Sequence, residues 1–475
     1  MPAALSYRRW KTNAAILLML RRICLIALVG ILGFSALLHA QPSANSGMPV
    51  PENYFPELKT LLQAAVQQSP RMIARHTDEA IVAGQRAITR ADQLPRLGGR
   101  WNYLPLTYEE RVGDPRSPYT SQKSAYALEF TQPLYHWGAL HDATKMADLA
   151  RHIAQGQTAE TYRALVGEIR AGYLQLIVKK ASLARTRTGL QFAEESLALA
   201  QERFERGEIP QAEFSSMRLG VEQARLNADR AVDDYASSKR TYARLYGGEP
   251  LSDEQIADAV PDVAVELAEL EDMLAEFGQQ KEQRSYGLRN LRDQIQMERL
   301  NYDIANKRLR PKLGFLAGTS QDEQSYTRNI GERYGVTAYY AGVRVEWAIF
   351  DGFATRAIKQ NSLIRRRQQE RDYRQLSDDL LENAKARLRQ AQFSARSLEL
   401  SRQFLRVSEE NLNRARDNVS RGLAPQSDLR TAEFNHAGSL IDAYNARIDC
   451  LMRATDFIAT ILADPALANL PAQYR

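Results

Sequence analysis

Nearly the whole chain is one pattern written twice. Arg206-Gly207-Glu208-Ile209-Pro210-Gln211-Ala212-Glu213-Phe214 returns 215 residues later as Arg421-Gly422-Leu423-Ala424-Pro425-Gln426-Ser427-Asp428-Leu429. The same 215-residue shift carries Pro133-Leu134-Tyr135-His136-Trp137 onto Ala348-Ile349-Phe350-Asp351-Gly352. Leu94-Pro95-Arg96-Leu97-Gly98 meets Arg310-Pro311-Lys312-Leu313-Gly314 at a shift of 216. A repeat this long, with a Gly/Pro turn deep inside a helical pattern, restricts the fold to two copies of one supersecondary unit.

Within each copy the hydrophobic period identifies the elements. A helix is predicted over about Leu58 to Leu94, bent near Ser69-Pro70, where Pro95 stops it. From His136 to Arg206 there is no proline, and Tyr162, Val166, Ile169, Tyr173, Leu176, then Leu190, Ala193, Leu197, Ala200 and Phe204 step by threes and fours. That is a coiled-coil-like seam, and at 1.5 Å per residue it makes a rod of about 105 Å. Gly207 breaks the rod, and Pro210 suits the start of a helix running back to about Leu245. The second copy predicts a helix around Leu267 to Leu309, a rod from about Gly352 to Arg421, a break at Gly422 and a return helix to about Leu462. The two shorter helices of each copy, stacked end to end, match one rod in length.

Between helix and rod the period switches to two. Tyr126, Leu128 and Phe130 alternate with Ala127, Glu129 and Thr131. Tyr339, Ala341, Val343, Val345, Trp347 and Ile349 alternate with Tyr340, Gly342, Arg344, Glu346 and Ala348. Partner strands are expected near Gly98 to Tyr108 and Leu313 to Thr319, with polar loops at Glu109 to Gln122 and Gln321 to Gly335. Apolar-out, polar-in alternation flanked by Trp and Tyr fits an outer-membrane strand; a half-buried soluble hairpin gives the same alternation. Four strands alone leave edges that lipid does not tolerate, so membrane strands require several copies to pool them.

The N-terminus favours export. Arg8, Arg9, Lys11, Arg21 and Arg22 precede an apolar run from Ile23 to Leu38, and Leu38-His39-Ala40 offers a small-residue cleavage site. Residues 1–40 read as a secretory signal, of which Met19 to Ala40 alone has an ordinary length; 41–56 read as a flexible leader. The alternative, an uncleaved anchor, falls short of the ~20 apolar residues that span a bilayer. The signal holds five of the 63 basic residues and no acidic one, leaving 58 against 57 Asp and Glu and a net charge of +1. A nucleic-acid partner is therefore not expected. Cys24 lies in the signal, so Cys450 stands alone and neither a disulfide nor a cysteine metal cluster is possible. The expected domains are 57–250 for the first repeat (β-hairpin about 97–136, tip at 207), 251–265 for a linker, 266–462 for the second repeat (β-hairpin about 312–350, tip at 422) and 463–475 for a tail.

Taken together, the junctions Gln132-Pro133-Leu134-Tyr135-His136-Trp137-Gly138 and Trp347-Ala348-Ile349-Phe350-Asp351-Gly352, the Arg-Gly tips and the proline-free rods resemble the TolC-like outer membrane efflux protein family. The resemblance covers about Leu58 to Leu462. It implies a mainly α fold with a small membrane β part. Duplicated coiled-coil hairpins would form a trimeric α-barrel tunnel, capped by a shared twelve-stranded transmembrane β-barrel. It further implies a homotrimer in outer-membrane lipid with its helices in the periplasm. Such a duct serves tripartite efflux or type I secretion beside a periplasmic adaptor and a proton-driven or ATP-driven inner-membrane transporter. The adaptor-docking tips carried over are Arg206, Gly207, Pro210, Arg421, Gly422 and Pro425. Asp428 matches an aspartate lining the periplasmic entrance; a ring of three such carboxylates favours cations. Glu213 holds the matching first-repeat position. Thr431, Val419 and Ala424 depart from the family's gate residues, so a different link, between Arg421 and Glu213, is the alternative.

Enzymatic chemistry is not expected. His76, His136, His141, His152 and His436 are scattered, no phosphate loop or nucleophile elbow is present, and no cofactor or metal is implied. The basic run Arg356, Lys359, Arg365, Arg366, Arg367, Arg371 and Arg374 faces either solvent or a lumen. The rival class is a soluble periplasmic coiled-coil adaptor or spacer.

Overall fold

A computed structural model describes residues 48–109, 119–324 and 334–474. The expected signal and residues 41–47 of the leader lie outside the described residues, as do the centres of both polar loops. Pro49–Arg475 forms one compact unit.

The first copy contains α1 (Pro56–Gln68), α2 (Pro70–Ala91), β1 (Arg96–Glu109), β2 (Tyr119–Tyr135), α3 (Ala139–Glu205) and α4 (Gln211–Tyr246). The second contains α5 (Leu267–Arg284), α6 (Tyr286–Lys307), β3 (Lys312–Gln324), β4 (Tyr334–Glu346), α7 (Ala354–Ser420) and α8 (Gln426–Thr460). Both rods, α3 and α7, have 67 residues, a length of about 100 Å at 1.5 Å per residue.

Antiparallel pairing explains how shorter helices cover one rod. Arg71 bonds Glu168 at 2.5 Å, and Glu79 and Arg86 meet Thr158 and Asp148, so α2 lies along the half of α3 nearer the strands. Lys179 donates to Ser238 at 2.7 Å and Arg225 to Glu194 at 2.9 Å, so α4 covers the half nearer the tip. At the join, the Ser69 hydroxyl donates to the Leu245 carbonyl at 2.9 Å. Gly247, with φ of +84°, lets the backbones meet there: a Cβ would sit 1.9 Å from the Gln68 carbonyl oxygen.

The second copy corrects one expectation. The stretch Leu267 to Leu309 is two helices broken at Ser285, whose backbone is extended and whose hydroxyl accepts the Leu288 N–H at 3.2 Å. Serine supplies this cap without proline, and so the break leaves a weaker trace than its counterpart at Ser69-Pro70.

The end of the leader read as flexible is packed, and so are the segments read as linker and tail. In the leader, Val50, Pro51 and Phe55 are buried, and Phe55 meets the Tyr173 ring edge-on with centroids 5.5 Å apart. In the linker, Leu251, Ile256, Val260 and Val263 are buried. The tail forms short 3-10 turns at Pro465–Asn469 and Ala472–Tyr474, burying Ala466, Leu470 and Tyr474. Isolated apolar residues without a period carry these contacts, and pattern reading misses them. The core they join holds Leu58, Leu62, Tyr162, Leu165, Ile169, Tyr173, Leu176 and Tyr246.

Candidate functional site

The sheet stands at one end of the rods. Its strands run in the order β1-β2-β3-β4, all antiparallel, and among the described residues β1 and β4 pair on one side only. The strands outrun the predicted alternation because a backbone ladder forms whatever the side chains are: Thr120 pairs with Tyr108, and Glu323 with Gly335.

Register sorts the side chains onto two faces. Leu97, Trp101 and Tyr103 share one face with Tyr126, Leu128 and Phe130, with Phe315 and Ala317, and with Tyr339, Val343 and Val345. Trp101 is 70% exposed and Tyr339 82%, an apolar surface that water does not favour. The other face holds Arg96, Arg100, Asn102, Lys123, Glu129, Arg344 and Glu346, with Leu104, Leu316, Tyr340 and small residues between them. There Tyr340 donates to Glu129 at 3.3 Å and Arg344 reaches Glu129 at 3.5 Å. Gly318 leaves room for the Tyr340 ring, since its Cβ would fall 2.8 Å from that hydroxyl oxygen.

Each strand enters its rod through two successive left-handed residues, Trp137 and Gly138 in the first copy, Gly352 and Phe353 in the second. Each pair contains one glycine, at opposite positions, so a bulky residue takes the other left-handed conformation both times. That conformation is costly for a bulky side chain and is held by neighbours. Trp137 donates to the Pro311 carbonyl at 2.7 Å beneath the Arg310 guanidinium, and Phe353 packs edge-on against Phe350 with centroids 5.3 Å apart. Asp351 accepts from the Thr355 N–H at 3.0 Å and its hydroxyl at 2.6 Å, capping α7.

At the far end the two tips are built alike. Glu208 N–H donates to Arg203 O and Gly207 N–H to Phe204 O, both at 2.9 Å. Leu423 N–H donates to Asn418 O at 2.8 Å and Gly422 N–H to Val419 O at 3.0 Å. This is the Schellman closure, and it requires the left-handed backbone of Gly207 (φ +77°) and Gly422 (φ +70°). Pro210 and Pro425, both extended, then open α4 and α8.

Side chains differ where backbones agree. Phe204 and Phe214 stack across the first tip with centroids 5.0 Å apart, where the second copy has Val419 and Leu429. Arg206 reaches Glu208 at 3.1 Å, whereas the second tip presents Leu423, 73% exposed. Glu213 and Asp428 both lie exposed in the first turn of their helices, where the helix dipole favours an acid. Within one chain, among the described residues, no ion pair joins Arg421 to Glu213 or to Asp428.

One cluster escaped the sequence reading. Arg170, in the apolar seam of α3, is 1% exposed. It donates to Glu52 at 2.6 and 3.0 Å and to Asp464 at 2.5 and 2.8 Å. Burial acts to lower its pKa, but the charges and hydrogen bonds of Asp464 and Glu52 prevail and hold it above the ordinary value. Beside it Tyr162 donates to the Leu62 carbonyl at 3.1 Å, and burial pushes its pKa up to about 12. An arginine flanked by Leu165, Val166, Ile169, Tyr173 and Leu174 was itself the available signal, since a lone charge in a buried seam demands a partner.

Long paired rods, a four-stranded sheet with an exposed apolar face and two matched tips define a membrane-inserted helical duct protein. The chain belongs to the outer membrane efflux protein family, which it matches over residues 61–248 and 278–451. It is thus an outer-membrane efflux protein with its helical part in the periplasm. The fold is shared with the Campylobacter jejuni CmeC outer membrane channel (TM-score 0.65, 10% identity, 88% of this chain and 91% of that one). It is shared too with the open state of the Neisseria gonorrhoeae MtrE outer membrane channel (0.61, 15%, 88% and 92%). The Vibrio cholerae outer membrane protein VceC is similar (0.59, 16%, 88% and 97%). No curated protein matches the sequence. Among the described residues no helix is long and apolar enough to cross a membrane, and no group of acidic, His or Cys side chains is arranged to hold a metal.

Proposed function

We propose that three copies of the chain close their sheets into one twelve-stranded outer-membrane barrel above a periplasmic α-barrel, forming the passive exit duct of a tripartite efflux or type I secretion system. The observation that carries this reading is the open sheet: β1 and β4 each leave a free edge, and one face is mainly apolar and aromatic. In lipid such a sheet persists only if the edges are paired. The sheet's other face, with Glu129, Arg344, Arg100 and Lys123, suits a water-filled lumen.

The tips serve as docking points for a periplasmic adaptor. Arg206, Gly207 and Pro210 present a charged surface, and Arg421, Gly422 and Pro425 present one with the apolar Leu423 at its apex. Asp428 and Glu213 line the entrance, where a ring of carboxylates draws cations, and Arg421 is the cation available to pair with them between copies. Energy comes from a proton-driven or ATP-driven inner-membrane transporter.

Light scattering of the detergent-solubilised protein tests the assembly; a mass of three chains is expected, and a single chain would refute the duct. Single-channel recording in planar bilayers tests the entrance. Asp428→Lys should shift conductance or cation block, and an unchanged trace removes Asp428 from the entrance.

A further inference from the structure

The junction between the two repeats is described within one chain, and it is a template for the junction between copies. First-repeat strand β2 pairs with second-repeat strand β3, and first-repeat rod α3 carries second-repeat helix α8 against it. At that helical crossing the Phe434 ring lies 3.1 Å from where a Gly189 Cβ would be, and the Arg185 guanidinium covers the ring 4.3 Å from its centroid.

Moving each partner by the 215-residue repeat places Leu219 where Phe434 was, Phe404 where Gly189 was and Leu400 where Arg185 was. All three are apolar, and all three are exposed, at 68%, 65% and 54%. The volumes are exchanged: a large ring on a glycine inside the chain becomes a leucine on a large ring outside it. In the sheet, Thr131 pairs with Leu316 and Phe130 with Ala317. The repeat shifts of 215 for β2 and 216 for β3 turn these into Glu346 opposite Arg100 and Val345 opposite Trp101. Opposite charges then meet on the polar face, and apolar side chains on the lipid-facing one. Two ion pairs at this junction lose their counterparts: Glu195–Arg430, 3.6 Å within the chain, because Ser215 stands in place of the arginine, and Lys307–Asp142, because Ala357 stands in place of the aspartate.

We propose that adjoining copies interlock by this repeat-shifted register. Leu219 of one copy seats on Phe404 and Leu400 of the next, and β1 of one pairs with β4 of the next so that Arg100 faces Glu346. This interlock rests on the duct reading in requiring a neighbouring copy, and adds which residues meet. The occupant is a second copy of this chain, because the complementary residues at both levels come from the same repeat shift.

The test uses the full-length protein in mild detergent, with Leu219→Cys and Phe404→Cys in one chain and, separately, Arg100→Cys and Glu346→Cys. The native Cys450 is buried and its thiol is pushed up by burial, so it stays silent toward maleimides. A short bismaleimide should convert each double variant into covalent species of two and three chains and leave every single variant uncrosslinked. In parallel, Glu346→Arg should weaken the multimer, and adding Arg100→Glu should restore it. A multimeric mass by light scattering with neither double variant linked, or without restoration by the charge swap, would overturn the register and leave the duct standing. A single-chain mass would overturn both.

Discussion

At the residue scale the informative positions are those where backbone or charge has no second choice. Gly207 and Gly422 hold left-handed backbone in open space. Alanine at either costs about 1–2 kcal/mol through conformation alone. Gly207→Ala should therefore make the Glu208 amide exchange hydrogen roughly tenfold faster, a factor that corresponds to about 1.4 kcal/mol. Exchange spectra limited to that turn check it. Arg170 is the opposite case, fixed by its partners. Asp464→Ala leaves a buried guanidinium with half its acceptors, and breaking such a pair costs roughly 3–5 kcal/mol. Proteases should then release the segment after Ile461 well below the wild-type melting range. Tyr162 supplies a pH signature. Its folded pKa of about 12 exceeds the unfolded value of about 10, so its contribution is intact below pH 10 and is lost as pH rises through 12. Tyr162→Phe should flatten alkaline denaturation in that window.

At the element scale, the rods were legible because a recurring three-four period in a 67-residue stretch without proline points to one long helix. The tips were legible because Gly and Pro at fixed spacing punctuate it. The Ser285 break was not: a serine cap resembles any exposed helical serine until its hydroxyl is seen on the Leu288 N–H. Ser285→Ala should cost about 1 kcal/mol, measured as reduced protection of α6's first turn. The end-to-end join of α1–α2 with α4 was legible only as a matter of length. Gly247 gives no local cue that a Gln68 carbonyl presses on it. Gly247→Ala combines positive φ with a backbone clash and should destabilise by at least about 2 kcal/mol, seen as poor yield of folded protein. The strand faces could be read from alternation, but their ends could not, because the backbone ladder continues through Tyr119 to Ser124, beyond the alternating residues.

At the scale of the whole molecule, the duplication provides a membrane hairpin and a tip in each copy while the side chains diverge. Val343→Lys, on the apolar face, should cost about 2–4 kcal/mol if it lies near the bilayer midplane. Gly342→Lys, one residue away on the polar face, should cost far less; urea unfolding of the lipid-reconstituted protein separates them. The side chain of Arg170 bridges residues from both margins of the described fold, Glu52 and Asp464. Two positions that share one guanidinium lie within a short peptide of each other. The order of the halves is therefore a matter of connectivity rather than of architecture. A circular permutant joined by a few residues between the flanks of Glu52 and Asp464, and opened after the exposed Ala264, would carry the second repeat first and should keep the same fold.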